Sequence, residues 1–334
     1  MHPVNLNAVA LKMKSYPYFL LFFLVILLFS CKEESKIEQE IAKVPVTITV
    51  KRFDDLFANS TLEAIPSLKA EFPYLFPKVV PDSIWALKLK DTLQLQLKEE
   101  VDKTFGDFET EKASLESLFK HIKYYFPRYK TPKIVTLISE VQYDTRVVLT
   151  DSLLLIGLDN YLGADHFFYE GMSKYIAKGL DKQFLLSDVA SAFAKKVNAL
   201  PRNRTFLSRM VYHGKELYLK DLLLPNNTNA QKIGFTAEEL VWAQNNEEQI
   251  WRYFIEEQLL YSTDSALDRR FLDPAPFSKF GLELDRESPG RLGRYIGWQI
   301  VKKYMDKNPE VSIVELLDMP ADDIFKNSNY KPRK

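Results

Sequence analysis

Lys133-Ile134-Val135-Thr136-Leu137-Ile138-Ser139-Glu140-Val141, Arg146-Val147-Val148-Leu149 and Leu153-Leu154-Leu155-Ile156-Gly157-Leu158 follow one another closely in the chain. They are short runs rich in β-branched residues and leucine, separated by Asp144-Thr145 and Asp151-Ser152 turns. Runs of this kind bounded by turn residues read as strands, and their close succession predicts a small antiparallel sheet. Almost everything after Gly163 reads as helix. Ser187 is placed to cap a helix carrying Val189, Phe193 and Val197 at four-residue spacing. A second helix runs from Thr205 to Leu219. Thr236 and Glu239 have capping-box spacing before Leu240. Asn245-Asn246 breaks that helix and caps another running to Tyr261. Ser288-Pro289 reads as the N-cap and first residue of a helix through Tyr304. Within it Gly293 and Gly297 share a face, which predicts close approach of another helix.

On the N-terminal side, alternation of Val46, Ile48 and Val50 with Thr47, Thr49 and Lys51 predicts a first strand after Pro45. Prolines 66, 73, 77 and 81 limit the next stretch to short helices. Asp91–Phe105 and Leu115–Phe126 read as amphipathic helices, the second closed by Pro127. The order of strand, helices, small sheet and helical half predicts a helix-dominated α+β domain with a helical C-terminal half. It occupies residues 45–326 as one domain, with a polar, frayed tail over 327–334.

The extreme N-terminus is a different object. Lys12 and Lys14 precede an apolar run from Phe19 to Phe29 that ends in Leu28-Phe29-Ser30-Cys31. Positive residues, an apolar core and a small residue before the cut describe an export signal. A cysteine directly after that small residue reads as a bacterial lipobox, with cleavage before Cys31 and acylation of its thiol. The run is about half the ~20 residues needed to span a bilayer. Residues 1–30 therefore read as a lipoprotein signal peptide and 31–44 as the lipidated cysteine and a charged tether. Lys32, not Asp, follows Cys31, so the inner-membrane retention signal of enterobacteria is absent. The reading is a lipid-anchored protein of the cell envelope, in the outer rather than the inner membrane, facing the periplasm or the surface.

Composition narrows the function classes. Loss of Lys12 and Lys14 leaves 43 basic against 45 acidic side chains, so no basic footprint for nucleic acid exists. The sole cysteine precludes an internal disulfide. No glycine-rich phosphate loop of either common form occurs. His121, His166 and His213 remain after cleavage, without H-E-x-x-H or C-x-x-C spacing, so no metal or other cofactor is expected. His166 and Glu170 would share a face if their segment were helical. No G-x-S-x-G nucleophile elbow is present. No catalytic residue is assigned. Two stretches carry more charge and aromatic character than packing asks for: Gly214–Asp221, and Arg286, Arg291 and Arg294 with Tyr295 and Trp298. Arginine with Trp and Tyr favours binding surfaces, so these last five residues are the candidate partner-binding group. Ion pairs from the arginines to Asp285 or Glu287 are the structural alternative.

The lipobox resembles that of a known family, and so do the segments 50–57, 156–163, 214–225 and 289–301: Val50-Lys51-Arg52-Phe53-Asp54-Asp55-Leu56-Phe57, Ile156-Gly157-Leu158-Asp159-Asn160-Tyr161-Leu162-Gly163, Gly214-Lys215…Tyr218…Pro225, and the Pro289-Gly290-Arg291-Leu292-Gly293-Arg294-Tyr295-Ile296-Gly297-Trp298-Gln299-Ile300-Val301 run. Together they are similar to the gliding motility-associated lipoprotein family GldB of Bacteroidetes, along essentially the whole chain. The resemblance implies a lipoprotein required for gliding and linked to the type IX secretion machinery, whose components would be its partners. The layout also resembles, distantly, zinc peptidases of the zincin type, in which a zinc-binding helix follows the small sheet. The helix at that place here reads Asp188-Val189-Ala190-Ser191-Ala192. That implies a degenerate metallopeptidase-like scaffold and a non-enzymatic protein. The rival readings are an envelope hydrolase with a nonstandard site and a peptide-binding module on the degenerate scaffold.

Overall fold

Four strands make one mixed sheet in the order β1-β2-β4-β3, with β1 Val50–Arg52, β2 Lys133–Leu137, β3 Val147–Leu149 and β4 Leu153–Gly157. The structure, a computed structural model, describes residues 36–333. The signal peptide, the lipobox residues Leu28, Phe29 and Ser30, and Cys31 lie outside the described residues. Only β3 and β4 pair antiparallel, with Val147 opposite Ile156. β1 runs parallel to β2, with Val50 beside Ile134, and β2 parallel to β4, with Lys133 beside Leu153. The α+β class stands, but the all-antiparallel pairing does not. After β2 the chain crosses through a single turn at Tyr143–Thr145, lays β3 on the far side, and returns through Thr150–Ser152 to insert β4 in the middle. The first strand is also shorter than the alternation predicts, because only its last residues reach β2.

Each face of the sheet is covered by apolar side chains, as period-two alternation of buried strands requires. Ile134, Leu154 and Ile156 join the main core. Val135 packs on a second cluster of Phe53, Phe57, Phe72 and Phe76 from the short N-terminal helices. The turn after β2 holds Glu140 and Val141 at positive φ. Asp159, fully buried, secures it by accepting hydrogen bonds from the amides of Ser139 (2.8 Å) and Val141 (2.6 Å).

Among the described residues, the five longest helices are α1 Thr92–Phe105, α2 Glu109–Tyr125, α3 Leu185–Val197, α4 Phe206–Leu223 and α5 Leu292–Lys307. Asp91 caps α1 by accepting from Leu93 N–H, and Thr205 caps α4 by accepting from Ser208 N–H. The Thr236–Glu239 capping box forms as its spacing predicts. Asn246 does separate a pair of helices, but its amide nitrogen donates back to Trp242 O instead of capping the next one, which ends at Glu256 rather than Tyr261. Two further expected starts are displaced. α3 begins at Leu185, which leaves Ser187 inside the helix and buried. α5 begins at Leu292, because Gly290 is pressed against Ala275 and Arg291 takes a left-handed φ of 65°. Ser288 instead pins the preceding loop, donating to Asp285 O.

α4 and α5 cross backbone to backbone. A Cβ on Gly297 would lie 1.9 Å from Met210 O, and one on Gly214 would lie 2.2 Å from Gly297 O. The close approach of another helix expected at Gly297 is therefore real, with Gly214 as its partner, while Gly293 is pressed against Phe271 O, Leu272 and the Phe206 ring. The C-terminal tail is docked rather than frayed. Tyr330 OH donates to Glu247 Oε1 at 2.8 Å, and Arg333 N–H donates to the same oxygen at 3.1 Å. Residues 36–43 form a unit apart from 44–333. There Lys36–Ala42 forms a short helix where a tether without structure was expected. No helix among the described residues is long and apolar enough to cross a membrane.

Candidate functional site: a buried cationic seam

α3 and α4 are apolar where they meet except at two pairs of positions, Ser187 and Ser191 on α3, Glu216 and Lys220 on α4. Spacing of four puts each pair on one helical face. Lys220 Nζ donates to Ser187 Oγ at 3.0 Å and to Lys232 O at 2.9 Å, and lies 3.8 Å from Glu216 Oε1. Ser191 Oγ donates to Glu216 Oε1 at 2.7 Å. Ser187, Glu216 and Lys220 are buried. Burial alone would raise the Glu216 carboxyl. His213, Lys220 and Arg294 outweigh it and hold that carboxyl well below the usual carboxylate range. Glu216 is thus a fixed negative charge. Burial, followed by the nearby Arg294, lowers His213, which faces Glu216 at 3.7 Å.

Asp188, on α3, accepts from Arg146 Nε at 2.7 Å and from Tyr161 OH at 2.9 Å. Burial opposes the Arg146 charge, but Asp188 outweighs it and raises the guanidinium above its ordinary value. Lys178 is ion-paired with Glu239, whose other oxygen completes the Thr236 capping box. On the far side of α4, Asp221 holds three donors: Trp298 Nε1 at 2.8 Å, Lys232 Nζ at 3.0 Å and Lys302 Nζ at 3.3 Å.

The five residues grouped as a partner-binding surface do not form one. Only Arg286 is exposed. Tyr295 and Trp298 are 2% and 1% exposed, and their polar atoms are bonded inside the protein, Tyr295 OH to Glu247 Oε2 and Trp298 Nε1 to Asp221. Arg291 and Arg294 are half-buried and border the seam. Their expected ion pairs to Asp285 or Glu287 do not form: Arg291 donates to Gly234 O at 2.6 Å and Arg294 to Leu272 O. Asp285 instead accepts from Gly281 N–H. Within the Gly214–Asp221 stretch Lys215 is structural, its Nζ donating to Leu317 O and Met319 O, whereas Glu216 and Lys220 supply the α4 side of the seam. His166 meets Glu100 on α1 at 3.1 Å, not Glu170, because its segment is a single tight turn rather than a helix.

Sequence reading assigned no role to Arg146, Asp188 or Ser191; Glu216 and Lys220 fell within the Gly214–Asp221 stretch it singled out, but not as partners of α3. The available signal was the spacing of polar residues by four on otherwise apolar helices. No group of three or more His, Cys, Asp or Glu side chains among the described residues has metal-binding geometry. What the groups of the seam do for one another is charge placement, with ion pairs, a depressed histidine and arginines that use only part of their donor capacity.

Comparison with known proteins places this architecture. No curated protein and no solved structure matches the chain. The family described as gliding motility protein GldB matches residues 34–332, nearly the whole chain, spanning the sheet, the seam and the docked tail. The chain belongs to the GldB family of gliding motility proteins.

Proposed function

We propose that this protein is a lipid-anchored component of the cell envelope that serves gliding motility without catalysis, supporting assembly or operation of the gliding and type IX secretion machinery. The observation that carries the reading is the family match over residues 34–332. The anchor rests on the Leu28–Cys31 lipobox, and the preference for the outer membrane on Lys32 following it. The absence of catalysis is supported by how α3 and α4 use their polar groups. Ser187, Asp188 and Ser191 are engaged by Lys220, Arg146 and Glu216 of the same chain. Ser187 and Asp188 are held by cations, and Ser191 donates to Glu216, whose carboxyl is kept well below the usual carboxylate range and is therefore a weak base at neutral pH. The α3 position after the sheet fits a peptidase-like scaffold retained for binding. The partners are the membrane, through the lipid on Cys31, and the motility and secretion proteins.

Cells lacking the protein should regain gliding with the wild-type chain and not with Cys31→Ala, which should accumulate as uncleaved precursor. Unchanged lipid labelling of Cys31→Ala would sink the anchor. Crosslinking in intact cells should recover the protein with motility or secretion components in near-stoichiometric amounts. Recovery of the protein alone would sink the assembly role. Ser191→Ala, at wild-type abundance, should glide normally; loss of gliding there would point to chemistry instead.

A further inference from the structure

Three of the cations in the seam have a carboxylate each: Arg146 has Asp188, Lys178 has Glu239 and Lys220 has Glu216. Arg291 and Arg294 have none within ion-pairing distance among the described residues. Each guanidinium has one bond to a backbone carbonyl. Among the described residues their other nitrogens meet no protein acceptor. A guanidinium carries five N–H donors, so most of the donor capacity of both residues is open.

The surroundings make these open donors unfavourable as they stand. Arg291 is the left-handed residue just before α5 and Arg294 lies in its first turn, close enough that the Arg294 charge disfavours that of Arg291. They occupy the start of α5, where the aligned peptide dipoles present positive charge. Burial, then the adjacent Arg294 charge, lowers Arg291 to about 10. Burial also lowers Arg294, against the pull of Glu216. Of the acids around them, Asp188 is engaged by Arg146 and Tyr161, Glu239 by Lys178, Glu216 by Ser191 and Lys220, and Asp268 by Arg209, while Asp273 favours the Arg294 charge without reaching ion-pairing distance. A bound anion would reverse the sign of each of these interactions. The planar fork of arginine matches the two-oxygen edge of a carboxylate or phosphoryl group.

We propose that Arg291 and Arg294 form an oxyanion-binding site that takes the carboxylate or phosphoryl group of a ligand, with Lys220 and Arg146 behind it adding to the attractive field. The site is separate from the motility role proposed above, and its test needs no motile cells.

The test uses the full-length protein in detergent. Inorganic phosphate should raise Tm saturably relative to sodium chloride of equal ionic strength. A short peptide with a free C-terminal carboxylate, compared with its amide, tests the carboxylate source. A response to phosphate alone assigns a phosphoryl ligand, and a response to the peptide acid alone assigns a chain-end carboxylate; either supports the site. Arg291→Gln and Arg294→Gln should each weaken the effective ligand by tenfold or more, and the double variant should lose the saturable response. Should a variant not fold, arginine-selective labelling of the wild type by phenylglyoxal gives an independent readout. Arg291 and Arg294 should be protected by the effective anion and not by its control. No saturable response to either anion, a response unchanged in the double variant, or labelling without protection would overturn the site.

Discussion

His213 stands between opposed influences: burial and the charge of Arg294 disfavour its protonation, while Glu216 favours it less strongly. Its folded pKa lies below the ordinary value of 6.5, so the unfolded chain takes up the proton first as pH falls. The contribution to stability is fully present above the unfolded value and is lost as pH falls through it toward the folded one. Tm should accordingly decline between pH 7.5 and 5.5, roughly the range over which an ordinary histidine titrates. His213→Asn should flatten that decline, and identical slopes for the two proteins would contradict it. The same scale shows why Trp298 was misread. Arginine, tyrosine and tryptophan together mark binding surfaces, but α5 is buried round most of its circumference, from Leu292 through Ile296 and Val301 to Met305. Its exposed polar residues, Lys303, Asp306 and Lys307, come only in the last turns, so composition did not reveal that Trp298 points inward to Asp221, with Lys302 over its ring.

Between elements, the sharpest constraint is the α4–α5 crossing, where Gly214 and Gly297 leave no room for a single methyl group. Gly297→Ala would place its Cβ against the Met210 carbonyl, which is backbone and cannot swing aside. Overpacking of this kind costs about 1–3 kcal/mol and sometimes more, set against the ~1 kcal/mol that Gly→Ala gains within a helix. A net loss is expected, read as a lower denaturant midpoint; Gly106→Ala, at a site with open space but positive φ, is the comparison for backbone strain alone. Helix starts were legible where a local side chain makes the cap, as Asp91, Thr205 and Thr236 do. They were illegible where a distant group takes the same side chain. Ser187 is held by Lys220 and Ser288 by the loop at Ser278, neither visible in local spacing. The seam was hidden for the same reason: its residues converge from three helices and a strand end.

For the whole molecule, the docked tail is a closing contact. Glu247 is 5% exposed and accepts from Tyr295 on one oxygen and from Tyr330 and Arg333 on the other. Ending the chain at Asn329 removes both donors to Oε1, and an unsatisfied buried acceptor costs about 1–3 kcal/mol. The truncated protein should unfold at lower denaturant concentration, with Tyr330→Phe intermediate between it and wild type; equal midpoints would show that the tail contributes nothing. The class of the fold was legible from runs of apolar residues, but strand order was not. The antiparallel β3–β4 pair is local, whereas β1–β2 and β2–β4 depend on which strand enters the middle. That topology has a kinetic side. Among the described residues β1 pairs with one strand, β2, which follows after the chain has passed through α1 and α2. β4 must then slip in beside β2 while β3 takes the edge. A chain emerging from its N-terminus therefore carries β1 without a neighbour until the segment near residue 137 appears. During that interval it depends on whatever else keeps an unpaired strand from pairing wrongly.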